Sequence, residues 1–414
     1  MNMICPLENP IMEYAWGSRT AIADLLAKPP SGAPQAEIWM GAHPKSPSKV
    51  IWEGRSVSLP LLIEQFPVEI LGEPVATRFH NKLPFLFKVL AAGQPLSIQA
   101  HPNREQARAG FARENRLGIP IDAADRNYRD ESHKPECICA LTPFWALRGF
   151  RKIADMLPLI KRVCPAGLET ELAGLEQSGN EAGLKRFFHT LMTMNEKKRR
   201  RIVPEVVSNA AKLTGDPCFE WIIKLHAAYP DDIGILSPAL LNLICLKPGE
   251  AMFLESGELH AYLCGLGMEL MANSDNVLRG GLTPKHVDVE ALLSVLNFAE
   301  REITLLSPVT VASCEENYVT AAVEFSLSVL TVTAGNRFVS RKKRSVEILF
   351  CTQGEARISS GGSGRFLDIS KGMSFLVPAS SPAYLINGNA IIYKAAVPVP
   401  PDDDIEKNCL TNQM

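Results

Sequence analysis

The pattern of apolar and polar positions divides the 414-residue chain into β-rich ends and a helical middle. From the start to about Phe150, short apolar runs bounded by Pro and Gly recur, among them Ile38-Trp39-Met40-Gly41 and Phe85-Leu86-Phe87-Lys88-Val89-Leu90. Such runs predict buried strands. Ser58 to Leu71 reads as a short helix. After Phe150 the spacing becomes helical: Ile153, Met156, Leu157 and Ile160, then Leu184, Phe187, Phe188, Leu191 and Met192, then Val206, Val207, Ala210 and Leu213. Pro158, Pro165, Gly179 and Pro204 punctuate these helices.

Strand character returns at Leu241 and holds to about Leu270, with a Pro248-Gly249 turn inside it. Thr283-Pro284 predicts a helix through Leu296, with Thr283 as N-cap and Pro284 at its first position. From about Asn317 the chain is almost wholly β. Val323, Phe325, Leu327 and Val329 alternate with mostly polar neighbours, and Gly335, Gly354, Gly361-Gly362, Gly372, Pro378 and Gly388 recur at sandwich or barrel spacing. The stretch after Pro398 is acidic, proline-rich and expected to be loose. Lys247–Leu254 resembles Ser370–Leu376, and each is followed by a position where a metal ligand would sit, His260 in the first and Tyr384 in the second. Two copies of one β unit are expected, only the first able to bind metal.

Composition adds bounds. With 46% hydrophobic and 21% charged residues, the chain can bury large cores in two or three domains. A net charge of -2 gives no reason to expect nucleic acid or an anionic membrane as a partner. The basic run Lys197-Lys198-Arg199-Arg200-Arg201 is too short to change that and reads as a solvated helix face or turn. Met1 to Trp16 carries acids and prolines without a long apolar core, so no signal peptide is expected. Ile235 to Leu246 is interrupted by Ser237, Pro238 and Asn242 and is too short to span a bilayer. The ten cysteines show no framework spacing, and Cys137-x-Cys139 is not a C-x-x-C motif. Reduced, mostly buried thiols of a cytosolic protein are expected.

Candidate chemistry centres on Gln99 and His101, two apart and so on one face of an extended strand. With Glu136 and His260 they form a nitrogen- and oxygen-rich set without thiolate, suited to zinc or another divalent ion. Singly, each has an ordinary reading: a surface amide, a turn histidine, a salt-bridge carboxylate, a core histidine. Lys134 shares a face with Glu136, as a base or an anion contact, and Tyr262 shares one with His260. Glu269, Asn273, Asp275, Asn276 and Arg279 are dense polar groups in a Leu- and Met-rich stretch. Arg279, before two glycines, suits a phosphate or an enediolate. His43, His80, His133, His189, His226 and His286 receive structural readings, His189 on the surface. P-loop, G-x-G-x-x-G, H-E-x-x-H and G-x-S-x-G signatures are absent from the sequence.

Seven stretches, in order, resemble the type I phosphomannose isomerase family: Tyr14–Ser18, Ala36–Pro44, Pro84–Leu90, Pro95–Pro102, His133–Glu136, His260–Tyr262 and Asn273–Lys285. The likeness runs from about residue 14 to 290 and is weaker beyond. It implies a mainly β fold with α elements: two cupin-like jelly-roll barrels plus a helical inserted domain. The implied division is a discontinuous catalytic barrel over 1–150 and 240–310, a helical insertion over 151–239, and a metal-free barrel over 311–414. Leu259 stands where the family often has proline before the zinc histidine, and Tyr384 replaces the matching histidine of the second barrel.

The resemblance implies a cytoplasmic, zinc-dependent (Zn2+) mannose-6-phosphate isomerase acting through a cis-enediol and feeding mannose metabolism and GDP-mannose synthesis. Zinc would sit on Gln99, His101, Glu136 and His260. Arg279, Lys134, Glu269 and Tyr262 would be catalytic, with Lys134 and Glu269 both open as the proton-transferring base. Ser97, Lys88 and Asp275 would contact a phosphorylated hexose. A monomer is expected. Two other readings stay open: an iron cupin oxygenase, which the amide at Gln99 disfavours, and a non-catalytic sugar-binding cupin, which Lys134, Glu269 and Arg279 disfavour. A fused guanylyltransferase is not expected without a nucleotide-binding glycine loop.

Overall fold

The computed structural model of the chain describes residues 4–360 and 366–399. The acidic tail from position 400 and the Gly361-Gly362 turn signal lie outside the described residues. The two expected strands are present as Glu37–Gly41 and Phe85–Ala92, paired antiparallel. All eight residues of the second are buried, which is why its sequence reads as a continuous apolar run around one lysine.

Two antiparallel sheets carry the architecture. In one of ten strands the order runs Leu241–Leu246, Phe144–Phe150, His260–Ala272, Phe85–Ala92, Glu37–Gly41, Ile11–Met12. Glu136–Ala140 joins it by pairing with both His260–Ala272 and Ala251–Leu254. The other, of eleven strands, contains Glu315–Tyr318, Ser326–Val332, Tyr384–Ala396, Glu347–Ser360 and Ser374–Val377. It also takes in Cys5–Glu8, Lys49–Trp52 and Arg55–Ser58 from the start of the chain, so strand pairing crosses the expected boundary between the β units. A shared core locks the sheets together, with Phe87, Met268 and Leu270 of one and Leu327, Ile348 and Phe350 of the other in one cluster.

Between residues 153 and 240 the chain is helical. Asn180, Asn195 and Asp216 cap three of these helices through side-chain oxygens that accept backbone N–H bonds. Pro158 and Pro204 lie inside helices Ile153–Val163 and Glu196–Ala210 rather than between them. An interior proline costs about 3 kcal/mol or more. Each fully buried Ile, Met or Val returns about 1.5–3 kcal/mol, and Ile153, Met156, Ile160 and Val163 are all buried. Packing therefore outweighs the break. These helices pack on Leu147, Phe150 and Ala261 of the ten-stranded sheet and on Leu259 just before its strand His260–Ala272.

Three local expectations are corrected. Ser58–Leu71 is two helices, Leu59–Gln65 and Pro67–Leu71, because Pro67 excludes Phe66 from helical geometry. The helix expected from Thr283 is Val289–Val295, capped by Asp288. Thr283 is held in a turn instead, its N–H donating to Asp232 at 3.1 Å and its hydroxyl accepting from the Lys285 N–H at 3.1 Å. The strand expected from Val323 begins at Ser326, since Glu324 is anchored by His133 at 2.7 Å and Arg104 at 3.0 Å.

Five of the nine described cysteines are buried, and none of the nine forms a disulfide. No helix among the described residues is long and apolar enough to cross a membrane.

Candidate active site

Strand register builds the site. Gln99 pairs across from His260 on one side and Arg279 on the other. Glu136 opens its strand opposite Met271 and Leu254. His101, just past the two-residue strand Gln99–Ala100, is thereby delivered to the same point as Glu136 and His260. The three ligand atoms lie within 4.8 Å of one another and all three residues are buried. His101 Nε2 is 3.2 Å from one Glu136 oxygen, and His260 Nε2 is 3.4 Å from the other.

The outer nitrogens fix the tautomers. His101 Nδ1 lies 2.7 Å from the Asn276 carbonyl and His260 Nδ1 lies 2.9 Å from the Glu258 carbonyl. A carbonyl only accepts, so each Nδ1 carries the hydrogen and each neutral ring turns a bare Nε2 lone pair inward. Both Nε2 atoms and Glu136 Oε2 are buried with no hydrogen-bond partner. Three orphaned acceptors in one place are costly without a cation and well suited to one.

Electrostatics keep the donors ready. Burial, and then Lys134, push the His101 imidazole down to about 4, so it is neutral near pH 7. For Glu136, burial alone would raise the carboxyl, but Lys134, with its Nζ 3.0 Å away, and then His101 outweigh it and hold it well below the usual range. Both shifts favour the deprotonated form in the fold, so their contribution to stability is present above the ordinary histidine value of 6.5 and is lost as pH falls. Metal-stripped protein is therefore expected to show a urea midpoint that drops between pH 6.5 and about 4, with a smaller drop in His101→Gln.

Beside the ligands lies a cavity of about 310 Å3 whose lining includes Ser97, Gln99, Lys134, Glu136, Tyr262, Glu269 and Arg279. Lys88, at its floor, is buried in register between Glu269 and Trp39. Its ammonium is 2.9 Å from Glu269 and 3.4 Å from Glu37, and 5.6 Å from the Trp39 ring centre. Burial alone would lower its proton affinity, but the two glutamates raise it, so Lys88 is a fixed cation. Burial raises the Glu269 carboxyl above its ordinary value, although Lys88 pulls the other way. Tyr262, raised well above its ordinary value by burial and then by Glu269, is a neutral phenol.

Arg279 and Lys285 also line the cavity; the charge acting on Arg279 is Arg129, and those acting on Lys285 are Arg279 and Arg129, all cations. Burial and this crowding lower both groups, the arrangement of an anion site. Asp275, expected at the substrate, does not line the cavity; it sits 2.8 Å from Lys45 and 3.6 Å from His43. Glu37, Tyr229, Thr283 and Lys285 line the cavity without having been singled out from sequence. Glu37 had a signal, a carboxylate in the apolar run Ala36-Glu37-Ile38-Trp39, which needs a buried cation such as Lys88.

Trp16, also in the lining, is placed by close backbone contact at Gly17. A Cβ there would lie 2.6 Å from the Ala36 nitrogen and the Gln35 carbonyl carbon. Gly17→Ala is expected to cost about 1–3 kcal/mol, as overpacking does, read as a lowered denaturant midpoint, and to raise KM by shifting Trp16.

Fold and site together define a class: a protein of antiparallel sheets with a buried His–Glu–His set able to hold a divalent metal beside acid–base groups. Comparison with known proteins narrows it. Residues 4–153 match the family model for the phosphomannose isomerase type I catalytic domain, and residues 315–396 match the mannose-6-phosphate isomerase cupin domain. The mannose-6-phosphate isomerase of Salmonella typhimurium is 43% identical over 84% of this chain and 89% of its own. That of Escherichia coli is 41% identical over 92% and 97%. A crystal structure of zinc-bound mannose 6-phosphate isomerase superposes with a TM-score of 0.90 at 39% identity, over 96% of this chain and all of that one. The chain belongs to the type I mannose-6-phosphate isomerase family.

Proposed function

We propose that the chain is a zinc-dependent aldose–ketose isomerase interconverting mannose 6-phosphate and fructose 6-phosphate. The observation that carries this is the three orphaned ligand atoms of His101, Glu136 and His260 opening into a cavity that also holds Lys134, Glu269 and Arg279. The relatives' names and the zinc of the superposed structure support it.

His101, Glu136 and His260 would hold the metal, with the Gln99 amide oxygen as a fourth donor from the strand alongside His260. A zinc ion held by these residues would supply Lewis-acid stabilisation of the negative charge on the sugar oxygens; the proton that moves is the one on C2. Glu269 takes that proton and returns it to C1 through a cis-enediol. Its raised proton affinity suits a base, and Lys88 occupies only one of its oxygens. Glu37 is less free, tied to Trp39 at 2.7 Å as well as to Lys88. Lys134, ion-paired with Glu136, acts as the cationic donor beside the reacting oxygens. Tyr262 orients a hydroxyl, and Arg279 and Lys285, with Ser97, hold the phosphate.

The same reading makes each sheet region a cupin-like jelly roll, with the helical segment 151–239 inserted into the first of them, between its 1–150 and 240–310 parts. It also makes the chain a cytoplasmic monomer that supplies mannose metabolism and GDP-mannose synthesis. Purified protein with zinc is expected to convert mannose 6-phosphate, and EDTA to abolish conversion. Full activity after complete metal removal would overturn the proposal.

A further inference from the structure

The helical segment ends in a turn that reaches the anion end of the isomerase cavity. Tyr229 lines that cavity, and its hydroxyl donates to the Pro95 carbonyl at 2.7 Å, two residues before Ser97. Three residues on, Asp232 caps the short 3-10 turn Ile233–Leu236, one carboxylate oxygen accepting the Gly234 N–H at 2.7 Å. Its other oxygen reaches out of the helical segment and accepts the Thr283 N–H at 3.1 Å. Thr283, Pro284 and Lys285 all line the cavity, and the Thr283 hydroxyl accepts the Lys285 N–H at 3.1 Å. One carboxylate thus links the helical segment to the loop that carries Lys285.

That loop does not hold its shape by itself. Leu282 sits at φ 52°, a left-handed conformation that is unfavourable for a residue with a Cβ and is sustained only by its surroundings. Gly281 before it has φ 120°, so two successive residues leave the ordinary backbone regions. The surroundings are specific. Leu282 is fully buried, and the Ile98 N–H donates to the Gly281 carbonyl at 3.0 Å. A Cβ added at Gly281 would lie 3.3 Å from Asp232 Oδ1. One added at Gly234 would lie 2.9 Å from the same oxygen and 3.0 Å from the Leu282 nitrogen. Ile98 therefore holds the loop at its start, and Asp232 holds it one residue past the bend. The anchor matters because Arg279 acts on Lys285 as a like charge. Two cations repel until an anion joins them, so a loop already fixed in place spares the ligand the cost of ordering it.

Given the isomerase reading in which Arg279 and Lys285 hold the phosphate, we propose that Asp232 is a positioning residue for that phosphate. It touches no substrate and fixes Thr283–Lys285, which gives the helical segment a part in substrate binding. Inorganic phosphate titrated calorimetrically into the zinc-loaded chain tests this. One phosphate is expected to bind, and Arg279→Gln/Lys285→Gln to abolish it. Asp232→Ser keeps a hydroxyl able to cap Gly234, but has one oxygen where the carboxylate uses two. It is expected to weaken phosphate about three- to tenfold, the scale of ordering a loop on binding. KM for mannose 6-phosphate should rise by a similar factor, with a smaller change in kcat. Asp216→Ala removes the cap of helix Pro217–Ala228 in the same segment and is the control. It is expected to lower the melting temperature and leave phosphate affinity unchanged, and melts confirm that both variants are folded. Phosphate affinity unchanged in Asp232→Ser, or equally weakened in Asp216→Ala, would overturn the proposal alone. No phosphate binding by the unsubstituted chain would overturn the phosphate contacts themselves, and the anchor with them.

Discussion

Replacing His260 by alanine is expected to strip the protein of metal and lower kcat by at least about a thousandfold, as the loss of several kcal/mol of charge stabilisation requires. The reason is positional. His260 is fully buried, its Nδ1 is held by the Glu258 carbonyl, and its Nε2 has no purpose among the described residues except toward Glu136 and the point they share. Alanine removes one imidazole from a set whose other members cannot move to compensate, since His101 is tethered to Asn276 and Glu136 to its strand. Metal analysis and a coupled assay for fructose 6-phosphate check it, with His189→Ala as a control. That histidine is half-exposed on a helix in the helical segment and its loss should change neither reading.

Glu269→Gln is expected to lower kcat by about 10²–10⁴-fold, the usual contribution of a positioned base, with metal content unchanged. Glutamine keeps a hydrogen-bond acceptor near Lys88 but cannot take a proton. Glu269→Ala adds a second effect. Lys88 is buried, and its 2.9 Å partner would be gone while only Glu37 at 3.4 Å remains. Breaking a buried pair from one side costs about 3–5 kcal/mol, so the alanine variant should also lose stability, toward the lower end because Glu37 stays. Comparing Glu269→Gln with Lys134→Met separates the two candidate bases. Wild-type kcat in the first and none in the second would transfer the role to Lys134.

Much of this was legible in the residues. The strands around Phe87 and Ile38 announced themselves as apolar runs, and the helical stripes survived two interior prolines because burial outweighs a broken bond. His101, Glu136 and His260 were recognisable as donors, but their meeting point was not, since it depends on register between strands far apart in sequence. Lys285 and Glu37 stayed hidden for the same reason: each has a role only through a partner elsewhere, Arg279 for one and Lys88 for the other. The misplaced helix start at Thr283 shows a local rule losing to a long-range bond. Asp232 accepts the Thr283 N–H and pins that residue in a turn.

X-ray absorption at the zinc edge tests the ligand set most directly. Zinc added to stripped protein at one equivalent should show a first shell of nitrogen and oxygen near 2.0–2.2 Å, with the multiple scattering of two imidazoles. His260→Ala should lose one imidazole or the zinc itself. A sulfur shell near 2.3 Å, or a spectrum unchanged in His260→Ala, would place the metal elsewhere and contradict the site.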